Sequence, residues 1–216
     1  MTAADLVEYY RRRAGEYEAI YAKPERQADL ARLRQIVSER LRAGHVLEIA
    51  CGTGYWTEIM ARTAASIVAT DIAEEPLRLA REKSFPQGRV QCRIADAYAL
   101  ESGLGSFNAA FAGFWWSHVP HGRLAAFLGS LHARLEAGAR VLLLDNRYVE
   151  GSSTPLCGRD ADGNTYQLRR LADGSETRLL KNFPTEAELR SSLSPHAAAF
   201  SYQALDYYWL VEYRLK

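Results

Sequence analysis

Residues 46–54 read VLEIACGTG, a short apolar run that leads directly into two closely spaced glycines. The apolar run predicts a buried strand, and the glycines predict a tight turn into a following helix. Glycine suits such a turn because it has no Cβ to block a ligand that approaches the backbone. Since ligands of open parallel sheets bind at the carboxyl ends of the strands, this turn indicates a binding site.

After this turn, short apolar runs alternate with amphipathic stretches. Strands that are apolar on both faces, alternating with helices, are typical of a parallel sheet that is covered on both sides. The pattern therefore predicts an α/β fold. The predicted strands are residues 46–49, 66–70, 89–94, 108–113 and 140–145, and the predicted helices are residues 53–65, 74–83 and 120–135.

The first forty-odd residues predict two helices. An apolar stripe at helical spacing marks the first helix, which ends at Lys23 because a proline follows. The second helix begins near Pro24 and ends at Gly44. The first stripe consists of Leu6, Tyr10, Ala14, Tyr17 and Tyr21, and the second of Leu30, Leu33, Val37 and Leu41.

The last third of the chain interrupts the alternation. Two turn-rich clusters predict a hairpin with arms at residues 165–171 and 176–181, and two final strands at 201–205 and 208–215. The connection between the final strands is too short for a crossover helix, so they are predicted to be antiparallel. We divide the single domain, residues 1–216, into four parts: a helical cap (1–44), a core (45–149), an insertion (150–183) and the end of the sheet (184–216).

The composition excludes several classes of protein. The 216 residues include 27 Lys and Arg against 26 Asp and Glu, so the net charge of +1 predicts neither nucleic acid nor a membrane surface as partner. The apolar runs are too short to span a bilayer, and the charged N-terminal residues do not form a signal peptide. The widely spaced Cys51, Cys92 and Cys157 indicate reduced thiols of a cytoplasmic protein, and no metal site is expected.

Acidic residues occur at three predicted strand ends. Glu48 lies within the first strand, Asp71 ends the second, and Asp96 follows the third. A carboxylate such as that of Asp71 can accept hydrogen bonds from both ribose hydroxyls, and Asp96 beside an exposed amide suits the edge of adenine. The phosphate-binding patterns G-x-G-x-x-G and Gly-Lys-Ser/Thr are missing. Together these features predict a nucleoside pocket without a pyrophosphate site.

These motifs resemble those of the class I S-adenosylmethionine-dependent methyltransferases. The family's Glu-x-Ala/Gly-x-Gly-x-Gly turn corresponds to Glu48, Ala50, Gly52 and Gly54, its ribose acid to Asp71 and its adenine-edge acid to Asp96. The resemblance implies a doubly wound, mostly parallel, seven-stranded Rossmann-like sheet with an antiparallel C-terminal strand. It also implies S-adenosyl-L-methionine as cofactor and S-adenosyl-L-homocysteine as product. Further cofactor contacts are expected at Tyr10, Tyr17, Trp56, Ile72, Ala97 and Phe114, the two tyrosines in an N-terminal lid.

The segment after the fourth strand, residues 114–120, supplies candidates for the acceptor site. At most one of Trp115 and Trp116 is expected to line the site, because neighbouring side chains of a strand point in opposite directions. We take Trp115 as the substrate-binding candidate. His118 is the candidate catalytic base, because imidazole titrates near neutral pH, and the alternative is that it only caps a helix or binds the backbone.

Polar residues after the fifth strand reach the same edge of the sheet. Asp145, Arg147 and Tyr148 are candidates for substrate binding, with Arg147 favouring an acidic group. The alternative is a local ion pair that holds the insertion. The basic residues of the predicted hairpin, namely Arg169, Arg170, Arg178 and Lys181, are interpreted as a solvated face rather than an anion site.

The sequence thus predicts methyl transfer to a small-molecule acceptor by in-line displacement. A non-catalytic nucleoside-binding module remains an alternative. A nicotinamide-dependent oxidoreductase is disfavoured by the missing glycines, and a protein or nucleic-acid methyltransferase by the missing Asn/Asp-Pro-Pro-Tyr motif. A homodimer is left open.

Overall fold

A seven-stranded mixed sheet forms the centre of the molecule. The computed structural model describes residues 8, 9, 11, 13–170 and 174–216, without the side chains of residues 14, 16 and 17. Its strands are β1 (His45–Ile49), β2 (Ser66–Asp71), β3 (Val90–Ile94), β4 (Phe107–Gly113), β5 (Leu135–Asn146), β9 (Ala197–Ala204) and β10 (Tyr208–Leu215). They lie in the order β3-β2-β1-β4-β5-β10-β9, and β10 is antiparallel to both of its neighbours. This confirms the predicted sheet and its antiparallel C-terminal strand.

Helices cover both faces of the sheet. They are α1 (Gln27–Arg40), α2 (Tyr55–Ala61), α3 (Glu74–Arg81), α4 (Leu124–His132) and α5 (Glu186–Leu193). The stripe of α1 predicted from the sequence, from Leu30 to Leu41, is almost completely buried. Helix α5 begins with a capping box in which the Thr185 side chain accepts a hydrogen bond from the Glu188 amide. Two cores result, one on each side of the sheet.

The insertion forms a second, smaller sheet. Its three strands, β6 (Leu156–Arg159), β7 (Thr165–Arg170) and β8 (Glu176–Leu180), are antiparallel in the order β6-β7-β8. The predicted hairpin corresponds to β7 and β8, whereas β6 was not predicted because its four residues carry no alternating pattern. The division into four parts remains a prediction.

The described residues 8, 9, 11 and 13 are α-helical, as predicted for the first helix, but the chain continues as a 3₁₀ helix over Ala14–Ala22. It ends at Lys23, as the following proline predicts, and a single 3₁₀ turn at Pro24–Arg26 leads into α1. Among the described residues, no helix is long and apolar enough to cross a membrane.

Candidate active site

The loops at the carboxyl ends of β1 to β5 share one edge of the sheet. The strand order changes direction between β1 and β4, because β1 leads to β2 on one side and pairs with β4 on the other. Such a reversal opens a crevice where open α/β sheets bind their ligands. The glycine turn after β1 and the segment after β4 therefore emerge side by side.

The glycine turn depends on a left-handed backbone. Gly52 and Gly54 have φ angles of 56° and 81°, and Ala50 has 52° in the position where the family most often has glycine. A Cβ on Gly54 would lie 3.1 Å from the Ala80 Cβ, so this glycine also lets α2 pack against α3. The left-handed backbone at these three residues thus sets the shape of the turn that faces the crevice.

Asp71 joins the glycine turn to the end of β2. Its Oδ2 accepts a hydrogen bond from the Gly52 amide and its Oδ1 from the Ala73 amide, both at 2.9 Å. Burial raises the pKa of this carboxyl group, while the backbone hydrogen bonds oppose that rise. Each carboxylate oxygen has a second lone pair, so Asp71 can also accept two ribose hydroxyls. The carboxylate therefore fits the nucleoside of S-adenosylmethionine.

The neighbouring strand ends present an apolar surface and a further acid. Ile72 and Ile94, at the ends of β2 and β3, are 46 % and 59 % exposed, which is unusual for large aliphatic side chains. The exposed Asp96 accepts a hydrogen bond from the Tyr98 amide at 2.9 Å, and Ala97 is buried beside it. An aromatic base can pack on the isoleucines while its edge faces the loop of Asp96, so this surface fits adenine.

Glu48 lies beneath the glycine turn. Its side chain is 1 % exposed and accepts a hydrogen bond from the Thr57 hydroxyl at 2.6 Å. Burial raises its pKa to about 8. In this arrangement Glu48 links β1 to α2 and so positions the turn, and direct contact with the cofactor remains a prediction.

An aromatic cluster lies between the glycine turn and the start of the segment after β4. Trp56 and Phe114, both expected at the cofactor, are buried with ring centroids 6.3 Å apart. Tyr21 of the N-terminal segment packs against both rings. Phe114 has a left-handed φ of 60°, and it lines a cavity on the side of the cluster that faces the small sheet.

The N-terminal segment contacts the glycine turn through Glu18. The Thr53 hydroxyl donates a hydrogen bond to Glu18 at 2.8 Å, and Lys83 forms an ion pair with the same carboxylate at 2.8 Å. This contact fits the lid implied by the resemblance, although the sequence pointed to other residues. Tyr10 and the side chain of Tyr17 lie outside the described residues.

A cavity of about 100 Å³ lies beyond Phe114, between the N-terminal segment, the end of β5 and the small sheet. Five of its described lining residues are basic, and none is acidic. The basic residues are Arg13, Lys23, Arg26, Arg169 and Lys181. The interpretation of Arg169 and Lys181 as part of a solvated face is therefore wrong. Arg178 instead packs over the Tyr166 ring, 4.1 Å from its centroid.

A buried ion pair forms one wall of this cavity. Lys181 Nζ lies 3.1 Å from Asp145 Oδ1 and donates a hydrogen bond to the Ser117 hydroxyl at 2.6 Å. The Ser117 and Asn146 amides donate to the same carboxylate. Burial tends to raise the pKa of Asp145, but the Lys181 charge and these amides hold it below its ordinary value. Asp145 is thus buried behind the cavity lining and paired with Lys181 of the insertion, which matches the alternative of an ion pair, and its role in substrate binding remains a prediction.

His118 also lines the cavity. Its Nδ1 lies 2.8 Å from the Leu180 carbonyl oxygen, which can only accept, so Nδ1 carries the proton and Nε2 bears a lone pair. Burial, reinforced by the Lys181 charge, lowers its pKa to about 3. The expectation that this imidazole titrates near neutral pH is therefore wrong, whereas its catalytic role remains a prediction.

The other predicted substrate residues lie apart from the cavity lining. The exposed Arg147 donates a hydrogen bond to the Leu205 carbonyl, which attaches it to the loop before β10. Trp115 packs against Tyr98 and Phe127 in the core on the other side of the sheet. Tyr148 is exposed, and its ring centroid lies 5.4 Å from that of Phe183, which lines the cavity. Their assignment to substrate binding has no support from this geometry.

Three of the residues that sequence analysis missed are Glu18, Arg26 and Lys181. Lys181 follows the apolar pair Leu179 and Leu180 at the end of a strand, a position from which a cation can turn inward. The apolar stripe of the N-terminal segment predicted packing, and the resemblance added a lid at Tyr10 and Tyr17. Neither gave a comparable signal for Glu18 or Arg26.

Comparison with known proteins agrees with this geometry. The methyltransferase domain family matches residues 46–138. The ubiquinone biosynthesis O-methyltransferase of Xanthomonas axonopodis pv. citri (strain 306) is 30 % identical over 164 residues, which cover 74 % of this chain. The chain spans only 65 % of the length of that relative.

Two solved structures resemble the whole described fold. A DhpI–SAH complex is 28 % identical with a TM-score of 0.78, and the match covers 98 % of this chain and 96 % of DhpI. A DhpI–SAM–HEP complex is 27 % identical with a TM-score of 0.76, covering 97 % and 95 %. The sequence match begins at the strand before the glycine turn, and the structural match extends through the final strands. The chain therefore belongs to the class I S-adenosylmethionine-dependent methyltransferases.

Proposed function

We propose that the protein transfers the methyl group of S-adenosyl-L-methionine to a small-molecule acceptor by in-line displacement, with S-adenosyl-L-homocysteine as the second product. The observation that supports this best is the position of Asp71, which is bonded to the glycine turn and keeps lone pairs for two ribose hydroxyls. The related O-methyltransferase and the SAH-bound and SAM-bound DhpI structures support the same cofactor.

The residues of the chain would act mainly by positioning. When bound, S-adenosylmethionine supplies a methyl group made electrophilic by the attached sulfonium. Asp71 and the apolar surface of Ile72 would fix the nucleoside, and the ring of Phe114 would exclude water between crevice and cavity. Alignment of this kind can supply about 7–11 kcal/mol of the barrier reduction.

His118 would orient the acceptor rather than store its proton. Its Nδ1 donates to the Leu180 carbonyl, which fixes the ring at the wall of the cavity, where it would contact the acceptor. Burial and the Lys181 charge lower the pKa of this imidazole to about 3, so the ring would stay neutral rather than hold a proton of the acceptor.

The size of the cavity supports a small acceptor. The cavity of about 100 Å³ lies between the cap and the small sheet, and this volume suits a small molecule. We place the activity in the cytoplasm, because Cys51, Cys92 and Cys157 are free thiols of a kind that the cytosol keeps reduced.

Isothermal titration calorimetry with S-adenosylhomocysteine tests the proposal, with NADH as the control. We expect micromolar binding of the former and no heat from the latter. Binding of NADH alone would contradict it. If the homocysteine compound binds, formation of this product from S-adenosylmethionine over a set of small acceptors then distinguishes an enzyme from a non-catalytic binding module.

A further inference from the structure

Arg26 places a buried guanidinium at the wall of the cavity beside Phe114. It is 7 % exposed, yet it donates hydrogen bonds to neutral oxygens: Asn146 Oδ1 at 3.1 Å and the Ser152 hydroxyl at 3.0 Å. Its Nε is buried without a hydrogen-bond partner among the described residues. Arg26 therefore keeps both its charge and a hydrogen-bond donor for a further group.

The acidic residues that lie near Arg26 in the sequence do not form an ion pair with it. The exposed carboxylate of Glu25 accepts a hydrogen bond from the Ser152 hydroxyl at 3.1 Å. The buried carboxylate of Asp29 accepts one from the Tyr207 amide at 2.8 Å. Since a buried cation without an anion is costly, the surroundings of Arg26 favour an anionic ligand.

The described cavity lining contains two buried cations, and one of them has an anionic partner. Lys181 is paired with Asp145, whereas Arg26 has no such partner. Burial lowers the pKa of Lys181 and the charge of Arg26 lowers it further, so both cations act on the same part of the cavity. One buried positive charge thus remains to be balanced. The other basic residues of this lining are exposed or half-buried, so water screens their charges. They are Arg13, Lys23 and Arg169.

The rest of the lining indicates what the anion is attached to. A single carboxylate supplies the one negative charge that is missing, and its oxygens match the donors of a guanidinium. Four apolar side chains line the same cavity of about 100 Å³, so a short hydrocarbon part can pack against them. They are Ile20, Phe114, Leu179 and Phe183. We propose that the acceptor is a short-chain carboxylate whose anionic group is anchored by Arg26.

This inference rests on the proposed function, because it assigns a substrate class to the same site. Calorimetry tests it with propionate and propionamide, which have nearly the same shape but differ in charge. The protein is first saturated with S-adenosylhomocysteine, and both titrations are run at neutral pH and constant ionic strength. We expect propionate to bind at least about tenfold more tightly than propionamide.

Two charge-free variants of Arg26 locate the binding, and a third variant serves as the control. Arg26→Gln and Arg26→Met should each bind propionate at least about tenfold more weakly, while S-adenosylhomocysteine still binds. Methionine keeps part of the packing against Tyr207 and Tyr208, whose ring centroids lie 5.2 Å and 5.6 Å from the guanidinium carbon. Arg178→Gln changes a guanidinium that packs over Tyr166 outside the described cavity lining, and should leave the affinity within about twofold.

Several outcomes would overturn the inference. Equal affinities of the parent protein for propionate and propionamide would contradict an anionic acceptor, and this comparison needs no variant to fold. Tighter binding of methylphosphonate, at a pH where it carries two charges, would contradict a single missing charge. Equal effects of the Arg26 and Arg178 substitutions would contradict binding at Arg26. Silence of propionate on a protein that binds S-adenosylhomocysteine would refute this inference alone, whereas failure to bind S-adenosylhomocysteine would refute the proposed function.

Discussion

The crevice at β1 to β3 and the cavity beside β5 are neighbours with opposite charge. In the crevice, Asp71 and Asp96 accept hydrogen bonds from backbone amides, which leaves lone pairs for hydroxyls and amines. In the cavity, Arg26 donates to the neutral side chains of Asn146 and Ser152, and five of the described lining residues are basic. The net charge of +1 conceals this separation. The aromatic cluster of Tyr21, Trp56 and Phe114 lies between the two regions.

The largest expected effect comes from the buried ion pair of the cavity. Lys181→Met would leave Asp145 buried without its cation, so we expect a loss of about 3–5 kcal/mol in the free energy of unfolding, measured by denaturant titration. Adding Asp145→Asn should recover much of the loss. Lys83→Met, which breaks the half-exposed ion pair of the crevice with Glu18, should cost about 0–1 kcal/mol. Equal costs would show that the two regions do not differ in this respect.

Loss of a carboxylate should weaken ligand binding in the crevice, because the described lining of the cavity contains no acidic residue. Asp71→Ala removes the acceptor of the ribose hydroxyls, so S-adenosylhomocysteine should bind about 1–3 kcal/mol more weakly in calorimetry. Asp96→Ala, whose side chain is exposed, should have a smaller effect. An unchanged affinity of the Asp71 variant, with its fold confirmed by circular dichroism, would remove Asp71 from the binding site.

The two regions should respond to pH in opposite directions. Glu48 ionises near 4.5 when unfolded and near 8 when folded, so the unfolded state loses this proton first and stability falls as pH rises between these values. His118 takes up a proton near 6.5 when unfolded and near 3 when folded, so stability falls as pH decreases through that range. Each group changes the free energy of unfolding by at most about 1.4 kcal/mol per pH unit.

Unfolding free energies measured from pH 4 to pH 8 test this contrast. Glu48→Gln should flatten the decline at high pH, and His118→Asn should flatten the decline at low pH. His132, whose pKa burial lowers to about 4, lies on α4 away from both regions, and its slope should persist in both variants. Identical pH profiles of the variants and the parent protein would contradict the burial of these two groups.

The smallest expected effect lies in the backbone of the glycine turn. Ala50 has a φ of 52°, a conformation that costs a residue with a Cβ about 1–2 kcal/mol. Ala50→Gly relieves this cost but loses about 0.4–1 kcal/mol through the more flexible unfolded chain, so the net gain should lie between about 0 and 1.6 kcal/mol. Ala50→Val should lower the melting temperature, because a β-branched residue fits this conformation poorly. A valine variant as stable as the parent would contradict the left-handed backbone.

The difference between the regions also explains what could be predicted from the sequence. The crevice is built from a continuous part of the chain in which strand periodicity places Glu48, Asp71 and Asp96 at successive strand ends, so pattern and spacing were sufficient. The cavity brings together Arg26 near the start and Lys181 near the end, and no local pattern connects them. The sequence therefore predicted the sheet and the crevice, but it named Arg147, which lies outside the cavity lining, and gave no sign of Arg26.

His118 shows a further limit of sequence analysis. Its position after β4 could be predicted, and the cavity indeed includes it. Its protonation could not, because the pKa depends on burial and on the charge of Lys181, which comes from a distant strand. A titratable residue can thus be located from sequence before its chemistry can be assigned.

The short segment from Ala14 to Arg26 links the two regions mechanically. Glu18 contacts the glycine turn through Thr53, and Arg26, at the end of the same segment, forms part of the cavity wall. A displacement of this segment that releases one ligand therefore disturbs the contacts of the other. By thermodynamic reciprocity, each ligand then changes the affinity for the other by the same factor. Any such coupling would accordingly pass through this segment and not through the sheet.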